Sequence, residues 1–117
     1  MENRAKKLLF DVLESGRSIR QWCGARTFSD YGGDRQFRRA VEREFEVIGE
    51  ALNRLSQIDS VLAARIGERQ RIIGFRNRII HGYDAIDDAA VWGVVESHLP
   101  RLIAEVETLL TEAGESI

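Results

Sequence analysis

The sequence predicts an all-α protein: an antiparallel bundle of four main helices with one short extra helix, forming a single domain over residues 1–117. Three observations predict it. Apolar residues recur at three- and four-residue intervals along four segments, as one buried face of a helix requires. Glycine, serine and aspartate gather between those segments. No stretch keeps the strict alternation of a half-exposed strand. A chain of 117 residues has the length of one ordinary domain, burying roughly two-thirds of its unfolded surface around a single core.

The first helix is expected from about Glu2 to Cys23, where Leu8, Leu9, Val12, Leu13, Ile19 and Trp22 mark one face and Gly16 weakens the middle. Gly24 to Asp34 forms a loop, with a short turn around Phe28 and Tyr31. A second helix starts at Asp34, a suitable N-cap, and carries Phe37, Val41, Phe45, Ile48, Leu52 and Leu55 at a period of 3.6. Gly49 lies inside it and costs up to about 1 kcal/mol of helix propensity relative to alanine. Together with Ala40 and Ala51 it lets a neighbouring helix come close, so a packing role is expected for it. Asp59 to Ile66 is a short helix closed by Gly67. The next helix runs from about Glu68 to Gly82 with Ile72, Ile73, Phe75, Ile79 and Ile80. Strand is the competing reading of its β-branched pairs, but pairs do not alternate and no second strand exists to join them. The last helix begins at Asp87 or Asp88 and follows Val91, Val94, Val95, Leu99, Leu102, Ile103, Val106, Leu109 and Leu110. Its apolar period continues on both sides of Pro100, which is therefore expected to kink it near Glu96 to Leu99 without ending it.

Composition excludes several classes. Cys23 is the one cysteine, so no disulfide and no cysteine-based zinc site can form within one chain. The N-terminal segment mixes both charge signs and lacks the apolar core of a signal peptide. No apolar run approaches the roughly 20 residues that span a bilayer. A cytoplasmic protein, neither exported nor membrane-embedded, is expected. A net charge of −2 argues against a protein that coats nucleic acid by bulk electrostatics. The charge is unevenly placed: residues 65–78 hold five arginines against Glu68, whereas residues 84–117 hold eight acids against Arg101. Arginine's planar fork suits phosphate, although the arginine excess equally fits a bias in genomic base composition.

The chemistry concentrates in Arg76-Asn77-Arg78-Ile79-Ile80-His81-Gly82-Tyr83. Histidine is the side chain that titrates near neutrality without a large shift, and there are two. His98, in the acidic last helix beside Pro100, has the marks of a boundary residue. His81 ends the arginine-rich helix, one turn after Asn77, whose amide can orient the imidazole. Arg76 and His81 are five positions apart, about 140° around an ideal helix, so one regular helix does not aim both at one phosphate. A long arginine reach, an unwound last turn or a second subunit must close that gap. An Arg-x4-His pair alone arises often by chance. With asparagine after the arginine and tyrosine two after the histidine, it falls to roughly one shuffled sequence in ten thousand.

This string resembles the Arg-x4-His-x-Tyr signature of HepT-like proteins in the HEPN superfamily. The likeness extends to Arg39-Ala-Val-Glu-Arg-Glu-Phe-Glu-Val-Ile-Gly-Glu-Ala51, similar to the family's second long helix, and to Val91-Trp92 and Leu99-Pro100-Arg101-Leu102, similar to its last. It covers about residues 5 to 110. Where relatives often carry Pro-Trp at the start of the motif helix, this chain has Glu68-Arg69-Gln70.

The resemblance implies a HEPN-like helical fold and a ribonuclease toxin. It also implies a homodimer whose two motif helices meet in a cleft, and an antitoxin of the minimal nucleotidyltransferase type, MntA, that transfers AMP from ATP to the motif tyrosine, here Tyr83. The residue types suit that chemistry. RNA cleavage without a metal needs a base for the 2′-hydroxyl, a proton donor for the 5′-oxygen and cationic stabilisation of the phosphorane. His81 can serve as base or acid and Arg76 as the cationic fork, with Asn77 beside them. One histidine cannot give and take a proton at once, so a second His81 across a dimer would complete the set. No carboxylate or histidine cluster has metal-ligand spacing, so neither metal nor cofactor is expected, and ATP would belong to the partner. Two competing readings stand beside this one. In the first, Arg76 pairs with an acid of the last helix, Asn77 and His81 cap the helix, and Tyr83 packs in the following turn. In the second, the chain is a non-catalytic helical module that docks a nucleotidyltransferase or binds nucleotide. Arg65, Arg69, Arg71 and Arg78 fit solvated surface better than RNA contacts.

Overall fold

The computed structural model describes residues 1–82 and 86–117, and among these residues every regular element is helical. The helices are α1 (Asn3–Gly24), α2 (Phe28–Gly33), α3 (Arg35–Ile58), α4 (Ser60–Ala64), α5 (Arg69–His81), α6 (Asp88–Ser97) and α7 (Leu99–Glu112). The expected all-α bundle is present. α1 lies between α3 and α7, and α3 lies between α1 and α5. No helix among the described residues is long and apolar enough to cross a membrane.

The apolar stripes fill one core. Leu9, Val12, Leu13 and Ile19 of α1 meet Phe37, Val41, Phe45, Ile48, Leu52 and Leu55 of α3, and all are buried. Leu99, Leu102, Ile103, Val106, Leu109 and Leu110 of α7 close the far side. Gly16 has a reason to interrupt α1: a Cβ there would stand 3.1 Å from Ile103 Cγ1, so the missing side chain lets α1 and α7 approach. Trp22, assigned to the same stripe, is 37% exposed instead. Cys23 is buried, and its desolvation pushes the thiol up to about 11, which keeps it protonated at neutral pH.

Two elements differ from expectation. Residues 28–33 form a helix where a loop with a turn was expected. The reason is a reciprocal cap: Asp30 N–H donates to Thr27 Oγ1 at 3.1 Å and Thr27 N–H donates to Asp30 Oδ2 at 2.8 Å. Tyr31 then enters the core between Phe37 and Trp92, each with ring centroids 5.5 Å away. The second difference is at Pro100. The last helix is not one kinked rod but two helices, separated at His98. Pro100 stands in the first turn of α7, where a backbone N–H has no intrahelical acceptor, so restarting the helix removes the cost of an interior proline.

Asp34 caps α3 as the sequence suggests, accepting from Phe37 N–H at 3.0 Å, and of the two candidates Asp87 and Asp88 it is Asp87 that caps α6, accepting from Ala89 N–H at 3.0 Å; Asp59 caps α4 in the same way, accepting from Leu62 N–H at 3.0 Å. α5 begins differently. Glu68 gives no side-chain cap. The Glu105 carboxylate of α7 instead accepts from Gly67 N–H at 2.7 Å and Glu68 N–H at 3.2 Å. An anion therefore sits at the positive end of the α5 dipole.

Candidate functional site

α5 carries three of the four motif residues, and its position is fixed by its apolar face. Ile72, Phe75 and Ile79 are buried, and Phe75 meets Phe45 of α3 edge-to-face with centroids 5.1 Å apart. The competing strand reading fails because this face has a helical period. Ile80, counted with the apolar face in the sequence, is 39% exposed.

Next to Phe75, the stem of Arg76 crosses α3 at Gly49. A Cβ at position 49 would overlap Arg76 Cβ and lie 2.5 Å from its Cγ. The packing role expected of Gly49 is thus the close passage of the Arg76 stem. The Arg76 guanidinium donates from Nη2 to Glu50 Oε2 at 2.8 Å and from Nη1 to Asn77 Oδ1 at 2.9 Å. Its Nε is buried without a hydrogen-bond partner among the described residues. An acid does pair with Arg76, but from α3 and not from the last helix. Glu50 was not singled out in the sequence, since its meeting with Arg76 depends on where α3 and α5 cross.

The helix separates Arg76 from His81. Arg76 lines a cavity of about 280 Å³ with Asp11 of α1 and Glu46 and Glu50 of α3. His81 lines another, of about 440 Å³, together with Asn77, Arg78 and Asp87. The 140° offset expected from helical geometry therefore persists: a single chain turns its arginine and its histidine toward different cavities. Asn77 borders the histidine cavity while its oxygen accepts from Arg76. Among the described residues its amide makes no hydrogen bond to the imidazole, so the expected orienting contact is replaced by one to the neighbouring guanidinium. His81 itself is exposed. Tyr83, the expected modification site, lies outside the described residues.

The other basic residues sort by partner. Arg65 forms a two-pronged pair with Glu112 at 2.8 and 3.0 Å, and that guanidinium holds the Glu112 carboxyl below the usual range. Arg71 stands 3.8 Å from Glu68. Arg78 is exposed and borders the histidine cavity, which gives it more claim to a ligand than its sequence suggested. His98 is half-buried, the boundary residue expected, and it has an acidic partner. Its Nδ1 is 3.0 Å from Glu68 Oε2, tying the α6–α7 break to the start of α5.

Comparison with known proteins gives one family. The profile described as "HepT-like: Ribonuclease HepT-like" matches residues 12–109. Two proteins of Methanocaldococcus jannaschii are similar over most of their length. "Putative RNase MJ1380" is 28% identical over 102 residues, covering 87% of this chain and 93% of that protein. "Putative RNase MJ0127" is 28% identical over 107 residues, covering 92% and 88%. "Probable ribonuclease HepT" of Thermococcus cleftensis is 28% identical over 109 residues, covering 93% and 98%. No solved structure matches the chain.

Proposed function

The chain belongs to the HepT-like ribonuclease family, and on that premise we propose that it is a metal-independent endoribonuclease acting as a homodimer, the toxin of a toxin–antitoxin pair. In this reading Arg76 of one subunit and His81 of the other work on the same phosphate. The observation that supports it is the division of the motif within one chain, where Arg76 and His81 border different cavities on either side of α5. A twofold partner laid against α5 would bring the missing half to each.

One imidazole takes the proton of the ribose 2′-hydroxyl as that oxygen attacks phosphorus. The P–O5′ bond breaks, and the partner imidazole, protonated, delivers a proton to the departing O5′. The products are a 2′,3′-cyclic phosphate and a free 5′-hydroxyl. The Arg76 guanidinium faces the non-bridging oxygens, where charge gathers in the phosphorane. Asn77, bonded to Arg76 and bordering the His81 cavity, links the two.

Control falls to Tyr83. Its phenol oxygen would attack the α-phosphorus of ATP on an MntA-like nucleotidyltransferase, releasing pyrophosphate and leaving an AMP two positions along the sequence from His81. The adduct adds bulk and negative charge where the RNA backbone must lie, and so stops cleavage.

Unmodified protein incubated with RNA in EDTA is expected to cut it and leave cyclic phosphate termini, and its expression without the partner to arrest growth. Intact RNA together with unhindered growth would favour the competing reading, a helical module that docks a nucleotidyltransferase. After co-expression with the partner, mass spectrometry is expected to place AMP on Tyr83. AMP on another residue would remove Tyr83 from the switch.

A further inference from the structure

We propose that Glu50 is the positioning residue for Arg76: across the α3–α5 crossing, its carboxylate fixes the direction in which the guanidinium presents its remaining N–H groups to the phosphate. This rests on the reading of Arg76 given above.

Three contacts define the geometry. Gly49 leaves room for the Arg76 Cβ and Cγ, so the base of the side chain is set by packing. Glu50 Oε2 accepts from Arg76 Nη2 at 2.8 Å, and Asn77 Oδ1 accepts from Nη1 at 2.9 Å. Glu50 is itself held, because Arg54 Nε, one turn further along α3, donates to Glu50 Oε1 at 2.8 Å. The order of constraint runs from Arg54 to Glu50 to Arg76.

A guanidinium has five N–H groups in a rigid fork. Two are taken by Glu50 and Asn77, and Nε is buried, so one N–H on each Nη is left to meet a ligand. Those two lie in the guanidinium plane, and Glu50 determines where that plane faces. The Arg76 side chain is only 22% exposed, so an uncompensated cation there would be costly and would seek solvent or another acid. Glu46 and Asp11 border the same cavity but are already paired with Arg43 and Lys7, which leaves solvent as the open alternative. Removing the Glu50 charge would therefore free the fork to turn, weakening an interaction that matters most when the phosphorane forms.

The test is a double-mutant cycle read by RNA cleavage. Glu50→Gln is expected to lower kcat about tenfold with KM unchanged or lower, the pattern of a lost transition-state contact. Lysine at position 76 has a point charge and no fork to orient. In the Arg76→Lys background Glu50→Gln is therefore expected to change kcat within about twofold. Glu50→Asp, which keeps the charge, is expected to retain more kcat than Glu50→Gln, and its thermal unfolding serves as a check should the glutamine variant fold poorly. Equal losses from Glu50→Gln in both backgrounds, or no loss in either, would overturn the proposal. If Arg76→Lys is impaired while Glu50→Gln is normal, only the role of Glu50 falls. Should Arg76→Lys cleave as well as the unaltered protein, or should neither cleave, the reading of Arg76 falls and takes this proposal with it.

Discussion

His81→Ala protein is expected to lose RNA cleavage by about 10²–10⁴-fold, the range that general acid–base catalysis usually supplies. The loss should appear in kcat under EDTA, with little change in thermal unfolding, since His81 is exposed and ends its helix. Cleavage that survives in the purified variant would remove His81 from the mechanism. The same variant offers a sharper test. If both imidazoles of a dimer act on one phosphate, a dimer of one unaltered and one His81→Ala chain lacks half of the pair. When equal amounts of the two chains exchange subunits, activity should then fall to about a quarter of that of the unaltered protein at the same total concentration. A fall to only about a half, despite demonstrated exchange, would mean that each site needs a single histidine.

The largest expected effect on stability is at Phe45. This ring is fully buried and stands nearly perpendicular to Phe75, at an interplanar angle of 87°. Phe45→Ala removes a core aromatic where α5 rests on α3, a loss of about 3–5 kcal/mol. For a domain of this size that lowers Tm by roughly 10–20 °C. Activity should fall as well, at temperatures where the variant is still folded, because Phe75 precedes Arg76 and borders the cavity of His81. An unchanged melting temperature would contradict the α3–α5 contact. Phe45→Leu, which keeps much of the volume, should lose considerably less.

Much of this arrangement is legible in the sequence. The stripe from Phe37 to Leu55 specified α3 because its period admits one buried face, and Asp34 specified a cap, as did Asp87 or Asp88, because an aspartate carboxylate reaches the free N–H groups of a first turn. The separation of Arg76 from His81 followed from 100° per residue alone. What stayed hidden depended on meetings between distant segments or on competition between equal local options. Thr27-x-x-Asp30 is a cap signature, but Gly32-Gly33 a few residues on weighs against a helix. Apolar spacing around Pro100 is the same for a kink and for a restart, so periodicity could not separate them. Asn77 could have bonded to His81 or to Arg76. Gly49 fixes the Arg76 stem, and the charged donor is the one that Asn77 meets. Glu50 was invisible for the same reason: one of several acids on α3, it becomes special only where Gly49 lets α5 through.

That passage at Gly49 has a genetic consequence. Arg76 is both a charged group and the filling of the α3–α5 crossing. If expression of the protein arrests growth as proposed, a selection for surviving cells should return substitutions at Arg76 for two separable reasons, lost charge and a loosened crossing. It should also return almost any side chain at Gly49, because even alanine has to displace the arginine stem. Survivors at His81, which carries no comparable packing duty, should make normal amounts of folded protein. Protein abundance in the survivors would then tell the two kinds of escape apart.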